Sequence, residues 1–534
     1  MTATITPERS GTRAGHDGFG RLLHAEWTKF RTVRGWMIAM VIAALVTVGI
    51  SQLDHSSCGG QVTPGGPVIA GEGCSAPVGP GGEAVTDSFS FVRKPLARNG
   101  SITVRMTSLT GLYSTSSGSP AGQGQASMKP GLQPWSKAGI IIKASTRPGS
   151  AYAAMLVTGG HGVRMQYDYT GDIAGPPAAV SAASPRWLRL TRSGDTVTGY
   201  ESADGTHWSV VGAAHLAGLP ATAQAGLFAT SPSATQSLSQ SIGGGTAGGG
   251  STLATAVFDH VSLRGQRAGG AWTGGDTGGG AGNGGSPGPG FHQAAGAFTV
   301  TGSGDIAPNV PGAPGRGGTQ AERTLLGAFG GLIAVIIVAT MFMTAEYRRG
   351  LIRLTLAASP RRGRVLAAKA VVIGAVTFVA GLAGATAAFL LGERLLRSNG
   401  NYILPVSALT EVRVVAGTAA VLAVAAVLAL ALGAILRHGA GAVTVVIVAI
   451  VLPYFFTTAF SVLPAGLADW LLRVTPAAGF AIQQSIPQYP QVTASYTPAN
   501  GDYPLAPWLG FAVLCAWAAL ALGVAAVLLR RRDA

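Results

Sequence analysis

The sequence predicts an α-helical polytopic membrane protein of six transmembrane helices, with an all-β sandwich of jelly-roll type inserted as an extracellular domain. Three observations carry that expectation. Of 534 residues, 47% are hydrophobic and only 11% charged, with a mean hydropathy of +0.37, whereas soluble globular chains carry about 25% charged residues. The apolar residues gather in six blocks near the roughly 20 residues that a helix needs to cross the hydrocarbon. Between the first two blocks lies a long polar stretch of short, alternating apolar runs, the signature of antiparallel strands.

The leader, 1–35, is charged and too long for a cleaved signal peptide, and no small-residue cleavage pattern precedes Gln52. Its end, Phe19 to Gly35, places Phe19, Leu22, Leu23, Trp27, Phe30 and Val33 on one helical face. Arg21, Glu26, Lys29, Arg31 and Arg34 fall mostly away from it. A basic amphipathic helix of this kind lies in the membrane interface, with Trp27, Lys29, Phe30 and Arg31 as its candidate interfacial residues. A plain topology anchor is the simpler reading of the same pattern. The first span follows at 36–53.

Residues 54–86 form a Gly/Pro-rich segment containing Cys58 and Cys74. On an oxidising exterior these two make a candidate disulfide that closes a short loop. From 87 to 264 the alternating runs include Ser101–Met106, Gly139–Lys143, Val163–Tyr167 and Trp187–Leu190, separated by Gly, Pro, Asp and Ser turns. Residues 265–323 read as a glycine-rich linker, and neither 243–250 nor 265–290 is assigned structure. Ala297–Ile306 is expected to fold back and complete a sheet edge, because an unpaired edge is a liability.

The remaining spans are expected at 324–345, 365–391, 414–436, 442–463 and 507–529. Arginines of the leader, of the 346–364 loop, Arg437 and Arg530–Arg532 fall on one side of six crossings. The positive-inside rule then makes both termini cytoplasmic, in the plasma membrane, with 54–323 outside. That arrangement also accounts for the net charge of +15, so nucleic acid is not an expected partner. The ionisable groups of the spans are read as lying at span ends, which argues against an ion-coupled carrier.

Two motifs carry a family resemblance. Ala25-Glu-Trp-Thr-Lys-Phe-Arg-Thr-Val-Arg34 resembles the stretch before the first span of ABC-2-type transporter permeases, the membrane subunits of ABC exporters, especially actinobacterial ones. Glu346-Tyr-Arg-Arg-Gly-Leu-Ile-Arg-Leu-Thr-Leu-Ala-Ala-Ser-Pro-Arg-Arg362, followed by Lys369, is similar to their loop between the second and third spans. The resemblance covers about 1–53 and 324–534. It implies export driven by a separate ATP-binding subunit, a second permease chain as homo- or heterodimer, and a short re-entrant gate between spans five and six. In that gate, Asp469 and Arg473 are expected to pair at i,i+4, with an ordinary interfacial loop as the competing reading of the segment.

A permease must receive mechanical work from such a motor through a short helix under the bilayer. Glu346, Arg349, Gly350, Arg353 and Arg361 are the candidate contact residues for the ATPase subunit, with enforcement of topology as the competing reading of the arginines. The chain contains no Gly-Lys dipeptide and so no phosphate-cradling loop. ATP and magnesium are expected on the partner, with no cofactor or metal and no catalysis here; the nine histidines are scattered.

The sandwich resembles concanavalin-like (laminin-G-like) domains through Trp135–Lys143, Gly162–Gln166, Pro185–Arg192 and Val197–Trp208. Such domains often take a glycan ligand, on which Trp135, Trp187 and Trp208 could stack; a strand tryptophan is more often core. Asp168, Asp172, Glu201 and Asp204 lie in turn-like contexts without a glycosidase pattern. The alternative function is therefore a membrane-anchored glycan-binding or sensor protein, for which one or two spans would suffice.

Overall fold

The computed structural model describes residues 18–53, 76–115, 127–237, 247–265, 270–277, 290–313, 318–348, 350, 362–458, 465–494 and 496–531. Helix α1 (Phe19–Thr32) leads into α2 (Arg34–Ser51), and the extended backbone of Val33 breaks the helix between them. Cys58 and Cys74 lie outside the described residues.

The strands that follow are β1 (Val85–Asp87), β2 (Phe89–Leu96), β3 (Asn99–Thr115), β4 (Ser127–Pro130), β5 (Lys137–Lys143), β6 (Tyr152–Thr158) and β7 (Val163–Tyr167). Next come β8 (Gly171–Ala174), β9 (Arg186–Ser193), β10 (Thr196–Ser202), β11 (Ser209–His215), β12 (Ala223–Thr230) and β13 (Ala234–Ser237). The domain closes with β14 (Ala247–Gly250), β15 (Thr252–Arg264), β16 (Thr273–Thr277), β17 (Gly290–Ala294), β18 (Ala297–Gly302) and β19 (Ile306–Pro308).

They form two large antiparallel sheets. One runs β11-β10-β9-β3-β15-β18-β17 with β4 beside β3, and the other runs β16-β2-β12-β5-β6-β7-β8. Alternation sets the inner faces: Ile102, Val104, Met106, Leu188 and Leu190 meet Ile140, Ile142, Met155 and Leu227 in a core closed to solvent. Strands β5 and β6 are buried on both faces, as their nearly unbroken apolar runs require. On the second face Phe89, Phe91, Ile141, Tyr152, Leu156 and Phe228 pack with Val85 of β1 and Ile306 of β19.

The structure corrects the reading of the glycine-rich stretches as structureless. Within 265–290, β16 pairs with β2 at the sheet edge, from Thr273 opposite Arg93 to Thr277 opposite Phe89. Glycine weakens a strand interior but is tolerated at an edge that side chains anchor. Here Trp272 packs edge-on against Phe298 at 5.5 Å, and Ser90 Oγ donates to Asp276 Oδ1 at 2.7 Å. Residues 247–250 likewise pair with β13. Strand β18 lies against β15 with β17 outside it.

Among the described residues six helical stretches are long and apolar enough to cross a membrane: α2, then Ala321–Arg348 containing α3 (Ala328–Arg348), α4 (Arg362–Ser398), α5 (Ala408–Leu436), α6 (Gly439–Thr458) and α8 (Pro507–Arg531). A short helix, α7 (Ala465–Val474), precedes the last. Helix α4, with 37 residues, is about 55 Å long, well beyond the ~30 Å hydrocarbon core. Where α2 meets the start of α3, a Cβ on Gly327 would stand 2.0 Å from the Thr47 carbonyl, so this crossing needs bare backbone. Pro453 lies within α6.

The β domain rests on the bundle through residues 484–503. Gln491 Nε2 donates to the carbonyls of Tyr169 and Thr170, at 3.4 and 3.3 Å, in the β7–β8 turn. Val492 packs with Ala307, Val310 and Ala313, where the chain leaves the β domain.

Candidate functional site: a charged joint at the arginine-rich end of the bundle

Helix α1 has no capping side chain at its start and depends on packing. Phe30, fully buried, stacks on Trp36 at 5.9 Å and meets Phe342 edge-on at 5.6 Å. One turn earlier on the same face stands Glu26, only 2% exposed. The helical-face reading had sent Glu26 outward with the other charges; the structure turns it inward because partners wait there.

Those partners come from α3 and α4. Lys369, in the second turn of α4, is 0% exposed. Its Nζ lies 2.7 Å from Glu26 Oε2 and 2.6 Å from Glu346 Oε1. Lys29 Nζ closes the quartet at 2.8 Å from Glu26 Oε1 and 3.3 Å from Glu346 Oε1. The Lys369 ammonium also sits 4.6 Å from the Phe342 ring centroid, a favourable place for a desolvated cation. Two carboxylates and two ammoniums cancel, so the joint carries no net charge into the apolar bundle. Partial burial works against the Lys29 ammonium, but the hydrogen bond and charge of Glu26, with the charge of Glu346, hold its pKa above the usual lysine value.

The quartet adds Lys369 to the ionisable groups read at the span ends. Lys369 falls inside the expected 365–391 span, and the position is habitable because both carboxylates reach it. It also gives Glu346 a local pairing, the alternative to ATPase contact that its place at the membrane edge allows. At 7% exposure and bound by two lysines, Glu346 faces the bundle rather than a partner's surface. Gly350, at φ +67°, ends the α3 turn, with its amide donating to the Tyr347 carbonyl. Arg349, Arg353 and Arg361 lie outside the described residues. The loop that holds them is bounded by α3 and α4, which Lys369 and Glu346 bind together. Arg362 ties the same end to α8 by donating to the Leu529 carbonyl at 2.8 Å.

Trp27 and Arg31 point away from the bundle, with Trp27 38% exposed. The signal that would have found the joint was Glu26-x-x-Lys29, an i,i+3 pair beside an apolar stripe. Its link to Glu346 and Lys369 is tertiary and leaves no local mark.

At the opposite end the segment 476–483 is buried throughout between α5 and α8. Phe480 stacks on Phe329 at 4.4 Å, and Gln483 Nε2 donates to Thr418 Oγ1 at 2.9 Å. The segment therefore enters the bundle rather than lying on it. The expected pairing of Asp469 with Arg473 is absent: neither has an ion pair among the described residues.

In the β domain, Trp135 is buried and stacked on His161 at 3.8 Å, while Trp208 lies beneath Arg189 at 3.8 Å. The four acidic residues noted above are engaged in structure. Asp172 pairs with Arg164, Glu201 lies 3.7 Å from Arg186, Asp204 lies 2.6 Å from His207, and Asp168 accepts from the Tyr152 amide at 3.2 Å.

A family model described as "ABC-2 family transporter protein" matches residues 198–534. The match thus begins within the β domain and does not include the leader or the first span. None of the curated proteins compared with the chain matches it. Among solved structures, a functionally unknown protein from Saccharomyces cerevisiae is 14% identical, covering 33% of this chain and 74% of its own, at a TM-score of 0.17. SCP-B, a member of the eqolisin family of peptidases solved with the tripeptide Ala-Ile-His, is 6% identical over 42% of this chain and 99% of its own, at a TM-score of 0.23. Scytalido-glutamic peptidase with a transition state analog inhibitor is 6% identical over 42% of this chain and 100% of its own, at a TM-score of 0.24. Superpositions this poor carry no argument about fold or activity.

Proposed function

The chain belongs to the ABC-2 transporter family, a multi-pass permease subunit of an ABC transporter, and we propose that it serves an exporter driven by a separate ATP-binding subunit docked on the 346–364 loop. The observation that carries this reading is the quartet of Glu26, Glu346 and Lys369, all buried, with the half-exposed Lys29. It joins the leader helix and both helices flanking the loop into one body, as a device for passing motion from a motor requires. Breaking a buried ion pair costs about 3–5 kcal/mol, so the three helices move together under thermal load. Displacement of the loop is then delivered to α3 and α4 along their lengths.

In this reading the arginine-rich end is cytoplasmic, the β domain is extracellular and of concanavalin-like type, and a second permease chain completes the pathway. The buried 476–483 segment gates the outer mouth. Its continuation, 484–503, touches the β domain through Gln491 and Val492, so gate and ectodomain move in concert. The actinobacterial character rests on the leader and loop motifs alone.

Gentle detergent extraction of the tagged chain tests the proposal. An ATP-binding subunit is expected to co-purify near stoichiometrically. Simultaneous replacement of Arg349, Gly350 and Arg353 should remove it and leave the permease folded. A chain that emerges alone, from membranes in which such an ATPase is expressed, would refute the reading.

A further inference from the structure

A cavity of about 650 Å³ opens at the β-domain end of the bundle, between the starts of α5 and α8, helix α7 and residues 484–506. That lies within the roughly 300–1,000 Å³ of small-ligand pockets. Its charged lining consists of Arg413, Arg473, Asp469 and Asp502. Charges of opposite sign sharing so small a space would ordinarily pair, yet among the described residues none of the four makes an ion pair.

Two of the four are instead engaged by neutral groups, and Arg413 also lies in the field of Glu322. Asp502 accepts from Gln484 Nε2 at 3.0 Å and from Gln488 Nε2 at 2.7 Å. Arg413 donates to the Gln484 carbonyl at 2.5 Å. Burial raises the Asp502 pKa, and the nearby charge of Asp469 raises it further. The two guanidiniums, for their part, carry ten N–H donors, of which one of Arg413's is taken by the Gln484 carbonyl.

The cavity also borders on apolar surface. Helix α7 carries Asp469 and Arg473 into it while Leu467, Trp470 and Val474 remain exposed, Trp470 at 57%. A short helix with an exposed tryptophan and leucine beside charged groups is built for the membrane–water boundary.

We propose that this cavity binds a phosphoethanolamine-type zwitterion, its phosphate against Arg413 and Arg473 and its ammonium against Asp469 and Asp502. Such a group is the headgroup of a membrane lipid or a free phosphoamine. The site requires neither ATP nor a second subunit, so it stands apart from the transport reading, and its failure would leave that reading untouched.

The test uses the full chain in detergent with glycerophosphoethanolamine as soluble probe, and in nanodiscs containing either phosphatidylethanolamine or only phosphatidylglycerol. Saturable binding of the soluble probe identifies the headgroup alone as sufficient. Selective retention of phosphatidylethanolamine without soluble binding identifies the lipid as the source. In either case Asp469→Asn and Arg473→Gln should each weaken binding roughly tenfold, a loss of about 1.4 kcal/mol. Arg473→Lys should fall between Arg473→Gln and the parent chain, and the melting of all variants without probe should match the parent. Equal binding of glycerophosphoglycerol, no binding in either format, or affinities unmoved by the variants would overturn the proposal.

Discussion

Lys369→Met is expected to abolish ATP-driven activity, by more than tenfold, while the chain still inserts into the membrane. The substitution keeps the unbranched, apolar stem of the side chain and removes the ammonium that Glu26 and Glu346 share at 2.7 and 2.6 Å. Two carboxylates are then left buried with only Lys29, half-exposed, to answer them. Loss of one partner from a buried pair costs about 3–5 kcal/mol. The cheapest relief is for α1 to swing away and rehydrate Glu26, which parts the leader helix from the loop. Melting of the detergent-solubilised chain should fall accordingly. The triple variant Glu26→Gln, Glu346→Gln, Lys369→Met should regain much of that stability without regaining activity, because packing is restored and the clamp is not. Recovery of activity in the triple variant would show that the charges serve folding alone.

The second large effect is expected from Asp87→Ala in the β domain. Asp87 Oδ2 accepts from Lys143 Nζ at 2.7 Å, from the Tyr169 hydroxyl at 2.7 Å and from the Gly149 amide at 2.9 Å. Lys143 is wholly buried, and burial already draws its pKa below the usual lysine value while Asp87 opposes the shift. Without the carboxylate, the ammonium loses its counter-charge, a destabilisation again of about 3–5 kcal/mol. The sign of the pH dependence follows. With a folded-state pKa below the unfolded 10.5, the unfolded chain holds more protons across the interval between the two values. Stability therefore rises with pH through that interval and is lowest beneath it. The β-sheet component of a circular dichroism melt on the full chain should show the loss at neutral pH and a partial recovery in alkali. A melt indifferent to Asp87→Ala would mean that Gly149 and Tyr169 are held without it.

The contrast between these two sites explains what the sequence discloses. Six spans and the sandwich are legible because each rests on a local period: runs of about 20 apolar residues in one case and two-residue alternation such as Ser101–Met106 in the other. The joint is illegible because Glu26 and Lys369 are 343 positions apart. A charge on a helix reads as solvent-facing until its partner is known, which is why Glu26 is expected outside and found inside. Strand β16 escapes notice for a related reason. Its Gly-Gly-Asp centre has no strand preference of its own; β2 supplies the template, from Arg93 to Phe89, and Trp272 on Phe298 and Asp276 on Ser90 anchor it. Asp469 and Arg473 show the reverse failure: i,i+4 spacing suggests a pair, whereas both line the cavity without an ion pair among the described residues.

The central claim is that the 346–364 loop meets an ATP-binding subunit. A photo-crosslinking side chain placed at Arg353 in the intact membrane tests it most directly, with the same group at Thr410, on the opposite end of the bundle, as control. The account predicts a crosslinked ATP-binding polypeptide from position 353 and none from position 410. Absence of that product from 353, with the ATPase present in the membrane, or equal capture from both positions, would contradict it.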